Sequence, residues 1–399
     1  MNSFDEVKER ADKVLCRTYS RYPIAVKSAK GSRLYDFAGR EYVDLLSGIA
    51  VTALGHCNPE VGRAICEQTS KMVHVSNLFY QEEQVYLAEK LAATSHCQRV
   101  FFCNSGAEAN EALIKLARRY QQKVKQRDAY EIISFKHCFH GRTMSTLATG
   151  QAKYQEGFLP MPPGYLQLEW GDLEALEKAV NPKTAAIILE MVQGEGGIRP
   201  VAPEFAKGVQ EICRRHGLLF LVDEIQAGLC RSGKWWAFQK YGLEPDAFSV
   251  AKALANGLPM GAMLCTEEAS QGFDYGCHGT TFGGTGLASA AASKVLEIME
   301  RDRLAERAEQ LGAWALERFR RVADKAPGKI LEVRGLGLLL GIELTFPGKE
   351  VWKALLDKGF VLNLTQDTVL RLLPALTVER DDLESFAVAL EDVLCNSDF

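Results

Sequence analysis

The chain has 399 residues, 47% of them hydrophobic and 25% charged, with a formal net charge of -4. That length supports more than one core, and the balanced charge excludes a polyanion-binding protein held by a basic field. No apolar run reaches membrane-spanning length, the opening MNSFDEVKER lacks the apolar segment of a secretory signal, and the 11 cysteines include no C-x-x-C pair, so the expectation is a cytoplasmic protein with reduced, mostly buried thiols.

The segment from 4 to 17 has helical periodicity, and the alternating stretches at 24–26, 33–35 and 42–44, separated by Gly31 and Gly39, predict a small meander. From Pro59 to about Cys265, helices such as 82–93 alternate with short apolar runs at 100–102, 132–134, 186–189 and 218–222. This alternation predicts a mostly parallel sheet covered by helices on both faces. A long helical stretch over 287–323 then leads to strand-like segments at 333–335, 338–343 and 369–372 and a last helix over 381–394. The expected division is a segment 1–55 packing with a small α+β domain of 287–399, and a large domain of 56–286. A cleft between the domains is the default ligand site.

Several segments carry chemistry. The run 101–110 leads from a strand through Asn104-Ser105-Gly106-Ala107 into a helix. Free amides at a helix N-terminus and the Ser105 hydroxyl suit a phosphate; an ordinary N-cap by Asn104 or Ser105 is the alternative. The strand 218–222 ends in Asp223-Glu224-Ile225-Gln226, at the edge where open α/β sheets bind ligands. Asp223 there can hold a pyridine nitrogen protonated or bind Mg²⁺. Gly228 to Lys234 imitates the start of a P-loop, but Trp235 stands where a metal-binding hydroxyl is needed and the run follows the acidic strand instead of preceding it, which counts against an ATPase. Lys252 lies among small apolar residues at 247–254, where desolvation favours a nucleophilic amine able to form a Schiff base with an aldehyde cofactor. A lysine snorkelling from a strand end is the alternative. Phe139-His140-Gly141-Arg142 offers a ring to stack on a flat cofactor and a guanidinium for a carboxylate, while His140 by itself reads as structural. Glycines at 194–197 and 279–284 permit close approach to a ligand. The triplet Asn363-Leu364-Thr365 matches a glycosylation pattern that a chain without a secretion signal does not use.

As a set, and over almost the whole chain, these motifs resemble the class III aminotransferases, which use pyridoxal 5'-phosphate (PLP). The resemblance implies the type I PLP fold, an α/β architecture with a large, mostly parallel seven-stranded sheet flanked by helices and a smaller α+β domain. It implies Lys252 as the cofactor anchor and Asp223 at the ring nitrogen, these two being catalytic. Ser105, Gly106 and Ala107 would hold the phosphate, Phe139 the ring face, and Glu224 and Gln226 the ring edge, with Gln226 on the ring hydroxyl. Thr281 would reach the phosphate of a neighbouring subunit's cofactor, which implies a homodimer with shared active sites. Substrate contacts would fall to Arg142, Glu195, Thr280 and Arg371, the last holding an α-carboxylate and pairing with Glu195. No metal is implied. Within the family, the resemblance at segments 47–51, 74–80 and 371–374 implies transfer of an amino group from N2-acetyl-L-ornithine to 2-oxoglutarate in arginine synthesis, giving N-acetyl-L-glutamate 5-semialdehyde and L-glutamate. Ornithine, succinylornithine, succinyldiaminopimelate and 4-aminobutyrate are alternative donors. Met191 and Ala227 depart from the proline and threonine common in the family. An aminomutase, a decarboxylase or a silent PLP binder would share the same fold.

Overall fold

The computed structural model describes residues 3–396. Its central sheet has seven strands in the order Arg99–Cys103, Gly261–Cys265, Ala247–Val250, Leu219–Asp223, Thr184–Glu190, Glu131–Phe135 and Tyr165–Leu168. Gly261–Cys265 runs antiparallel to both neighbours, and every other adjacent pair is parallel. The mostly parallel sheet read from the alternating pattern is therefore present.

These strands read as unbroken apolar runs because both faces are covered. Ala186, Ile188, Leu219 and Leu221 pack under Leu113 and Leu116 of the helix Gly106–Arg119. Their alternate neighbours Ile187, Leu189, Phe220 and Val222 join the other cluster, with Phe205, Val209 and Ile212 of the helix Pro203–His216. Each fully buried aliphatic or aromatic side chain of this kind contributes about 1.5–3 kcal/mol. The register also sets the site, since Asp223 lies opposite Glu190 on one side and Ser249 on the other. Three strand ends thus converge at one edge.

Two smaller sheets flank this core. Val26–Lys30, Arg33–Asp36 and Glu41–Asp44 form the expected antiparallel meander, and Phe360–Val361 pairs parallel to its third strand, stitching the first strands to chain far downstream. Ile330–Leu336, Leu339–Leu344, Val369–Leu372 and Asn363–Thr365 form a second antiparallel sheet. The helical stretch expected over 287–323 is two helices, Gly286–Arg301 and Leu304–Lys325, broken where Arg303 takes a φ of 51°. No glycine or proline marks that break, and Met299, Leu304, Ala308 and Leu311 all enter one cluster, so the apolar pattern runs on across it. Among the described residues no helix is long and apolar enough to cross a membrane.

Candidate functional site

A cavity of about 410 Å³ opens at the carboxyl ends of the parallel strands, where open α/β sheets bind ligands. Lys252 lies one residue, Ala251, past the end of the strand Ala247–Val250 and begins a short 3₁₀ turn, its own backbone at a φ of 45°. Burial pushes its amine down to about 8, with Arg371 pushing the same way and Glu195, Asp223 and Glu190 opposing. Roughly a tenth of the amine is therefore unprotonated at neutrality, far more than for an ordinary lysine, and this is the form in which nitrogen is a nucleophile and a base.

Asp223 ends its strand with the carboxylate almost wholly enclosed. Its Oδ1 accepts the Ile225 amide at 2.9 Å, while its Oδ2 accepts Asn110 Nδ2 and meets His140 Nδ1, each at 2.8 Å. Asn110 is held in turn by donating to the His140 carbonyl at 2.7 Å and by accepting Ser249 Oγ at 2.7 Å. Burial opposes a charge on His140, yet the adjacent Cys138 sulfur and the Asp223 carboxylate raise its pKa well above the ordinary imidazole value. Glu190 stands on the neighbouring strand. Burial, reinforced by Asp223 and opposed by His140, pushes its carboxyl up to about 8, so it is mostly protonated at neutrality.

Across the cavity, Ser105 caps the helix Gly106–Arg119, accepting the Glu108 amide at 3.2 Å, and Glu108 folds back to accept the Asn104 amide at 2.8 Å. Among the described residues the amides of Gly106 and Ala107 have no protein acceptor, and both residues line the cavity. The capping and anion-site readings of this turn are thus compatible, since the cap uses one amide and leaves two. A Cβ on Gly106 would stand 2.8 Å from Ile225 Cδ1, so any larger residue here would have to push the Ile225 side chain aside. Gln226 packs over Gly194, where any side chain would collide with it, and the buried Gln226 Oε1 has no hydrogen-bond partner among the described residues.

The two arginines differ in state. Arg371 is 1% exposed, its Nη1 donating to Glu195 Oε1 at 2.6 Å and to the Gly194 carbonyl at 3.2 Å, with Nε and Nη2 on Asn363 Oδ1 at 3.1 and 2.6 Å. Burial would raise the Glu195 carboxyl, but Arg371 and Lys252 outweigh it and hold the group below the usual range. Arg142 is exposed at the cavity mouth with no acidic partner among the described residues. The turn from Ser47 to Ala50 brings Val51 to the opposite wall. Its Ser47, Ile49 and Ala50 have φ values of 45°, 65° and 63°, an arrangement costing about 1–3 kcal/mol per residue. Asp44 Oδ1 holds it by accepting the Leu46 and Ser47 amides, each at 2.9 Å.

Ser105, Gly106, Ala107, Phe139, Arg142, Glu195, Asp223, Gln226 and Lys252 therefore line one cavity, with Arg371 behind Glu195. Glu224, expected at the ring edge, does not reach it. It is turned into the core, where its Oε1 accepts the Phe238 amide at 2.9 Å and burial pushes the carboxyl up to about 8. Alternation along the strand explains this, since adjacent residues point to opposite faces. Thr280 and Thr281 lie outside this chain's cavity; Thr280 Oγ1 accepts Asn104 Nδ2 at 3.0 Å and Thr281 is exposed. The sequence reading assigned nothing to His140, Asn110, Glu190 or Asn363. Asn363 lay in the discarded glycosylation triplet, and only register places it against Arg371.

A ligand cavity at strand ends, with a single lysine amine and several carboxyl groups among its lining residues, is an arrangement suited to chemistry on an amine. The chain belongs to the class III aminotransferase family, whose model matches residues 15–394, and it is thus an amino-group transferase in a family that uses PLP. It is 45% identical to the acetylornithine aminotransferase of Methanocaldococcus jannaschii over 376 residues, 94% of each chain. It is also 45% identical to that of Myxococcus xanthus over 385 residues, 96% of each chain. The solved ornithine aminotransferase of Toxoplasma gondii, with PLP at partial occupancy in its active site, covers 99% of this chain and 95% of its own at 30% identity, with a TM-score of 0.95.

Proposed function

We propose that this protein binds PLP and moves the side-chain amino group of N2-acetyl-L-ornithine to 2-oxoglutarate, releasing N-acetyl-L-glutamate 5-semialdehyde and L-glutamate, a step of arginine synthesis. The observation that carries this reading is the placement of the Lys252 amine, depressed to about 8, in one cavity with the Asp223 carboxylate and the unpartnered Gly106 and Ala107 amides. The donor set fits the cofactor. Two free amides at a helix N-terminus suit its phosphate, the unpartnered Gln226 Oε1 suits a ring hydroxyl, Asp223 suits a cationic ring nitrogen and Phe139 supplies an aromatic face. When bound, PLP supplies an aldehyde that condenses with amines and a cationic ring that withdraws electrons from the reacting carbon.

Lys252, once its nitrogen is free, takes a proton from the donor's amine-bearing carbon and returns it elsewhere, which a pKa near neutrality favours. Asp223 keeps its negative charge directed at the ring nitrogen through its fixed bonds to Asn110 and His140. Arg142 takes the donor's carboxylate while Glu195 covers Arg371; when 2-oxoglutarate enters, Glu195 gives way and Arg371 takes a carboxylate of the acceptor. One cavity thus serves both half-reactions. A spectral titration of the holoenzyme tests the donor. N-acetylornithine is expected to bleach the cofactor at lower concentration than ornithine, succinylornithine, succinyldiaminopimelate or 4-aminobutyrate, and 2-oxoglutarate to restore the colour. Stronger bleaching by another of these amines would move the substrate, and colour that no amine removes would leave a silent binder.

The same reading makes the enzyme a cytoplasmic homodimer, with Thr281 reaching toward the cofactor phosphate held by a second copy and Thr280 at the edge of that site. Eleven free cysteines without a disulfide support the compartment. Supporting the dimer, Leu78, Phe79, Tyr80 and Phe282 are 88%, 64%, 102% and 62% exposed. They form one patch beside Thr281, because Asn77 Nδ2 donates to the Gly283 carbonyl at 3.1 Å and the His74 ring meets that of Phe282 at 5.3 Å. Apolar groups gathered in this way mark an interface. Light scattering on the holoenzyme is expected to give twice the 44.2 kDa chain mass, and a monomer at micromolar concentration would refute the shared site.

A further inference from the structure

Arg142 stands at the cavity mouth on a long, flexible side chain, and no acid holds it among the described residues. Free in water, such a side chain samples many rotamers, and fixing it on a carboxylate costs up to about 2 kcal/mol of conformational entropy. The structure offers an aromatic restraint instead. The guanidinium carbon lies 4.1 Å from the centroid of the Tyr154 ring and 5.5 Å from that of Phe139, and these two rings meet edge to face at 5.9 Å and 85°. Tyr154 ends a 3₁₀ turn, Ala152–Tyr154, outside the motifs that line the cavity. Lys153 Nζ lies 5.0 Å from the same ring, so the turn adds a second positive charge near the guanidinium.

We propose that Tyr154 is a positioning residue for substrate carboxylates, its ring forming with Phe139 a cradle that holds Arg142 ready at the cavity mouth. The inference rests on the carboxylate-binding reading of Arg142 and adds to it the group that orders that arginine. Because Phe139 belongs to the same cradle, the cofactor's ring face and the carboxylate anchor keep a fixed separation, which selects donors by the distance between amine and carboxylate. Stacking on an aromatic face leaves the guanidinium edge free to make a bidentate bond.

The test compares Tyr154→Leu, Tyr154→Phe, Arg142→Ala and the double variant Tyr154→Leu/Arg142→Ala as holoenzymes. Tyr154→Leu is expected to raise KM for N-acetylornithine roughly three- to tenfold, as loss of a cation–π contact predicts, with kcat within about twofold and melting temperature unchanged. Tyr154→Phe keeps the ring face and should keep the parent KM. In the Arg142→Ala background, Tyr154→Leu should add nothing, because the group it orders is gone. An equal KM increase from Tyr154→Leu with and without Arg142 would overturn the proposal while leaving the carboxylate role of Arg142 standing. If Arg142→Ala itself leaves KM unmoved, both the proposal and that role fall.

Discussion

Replacing Lys252 with alanine is expected to lower kcat by about 10³-fold or more while leaving the melting temperature close to that of the parent. Lys252 is the single lysine among the residues lining the cavity, so no neighbouring amine stands in for it. The chain around it is held by other means, since Ala251, Ala253, Leu254 and Ala255 are all buried and the variant only widens a cavity that already exists. Assay of purified Lys252→Ala with N-acetylornithine and 2-oxoglutarate decides the matter, and parent-level turnover would remove Lys252 from the reaction. A pH series on the parent adds a second readout. Only the unprotonated amine attacks an aldehyde, and burial has moved its pKa from 10.5 down to about 8. The rate at which apoenzyme takes up PLP should therefore be half-maximal near pH 8 and level off roughly one to two units higher, where an unperturbed lysine would reach half its maximum only near 10.5. A rate still climbing steeply above pH 10 would contradict the depressed amine.

The elements legible in the sequence are those whose cause is local. Short apolar runs at 186–189 and 218–222 signal strands covered on both faces, and acids or a lysine at the ends of such runs signal the ligand edge, which is why Asp223 and Lys252 could be chosen before any contact was known. What stayed hidden depends on which strands lie side by side. Glu190 matters because it pairs with Asp223 in register, Asn363 because its strand pairs with the one carrying Arg371, and Tyr154 because its turn folds over Arg142. His140 is of the same kind: an imidazole in a loop carries no signal of its role until Asp223 is found 2.8 Å away. Glu224 shows the converse, for a motif carries it toward the ring edge while the pleat turns it into the core.

Asp223→Asn is expected to lower kcat by about 10²- to 10³-fold, the cost of removing one preorganised charge from an enclosed site, with the cofactor still bound through the amides of Gly106 and Ala107. The reason lies in what surrounds the carboxylate. Asn110 Nδ2 and the Ile225 amide both donate to it, and His140, raised well above its ordinary pKa, donates as well. An asparagine amide brings a donor into this ring of donors, so one oxygen position becomes an N–H facing N–H. Leaving such a pair unsatisfied in a buried site costs about 1–3 kcal/mol. On the proposed reading the substitution also removes the negative charge that favours a protonated ring nitrogen, so the variant is expected to show an altered absorption spectrum as well as a lower rate. Asp223→Glu keeps the charge but displaces it from its three donors, and is expected to recover the spectrum in part. Stoichiometric PLP, a parent-like spectrum and a parent-like kcat in Asp223→Asn would together show that the carboxylate serves the fold alone.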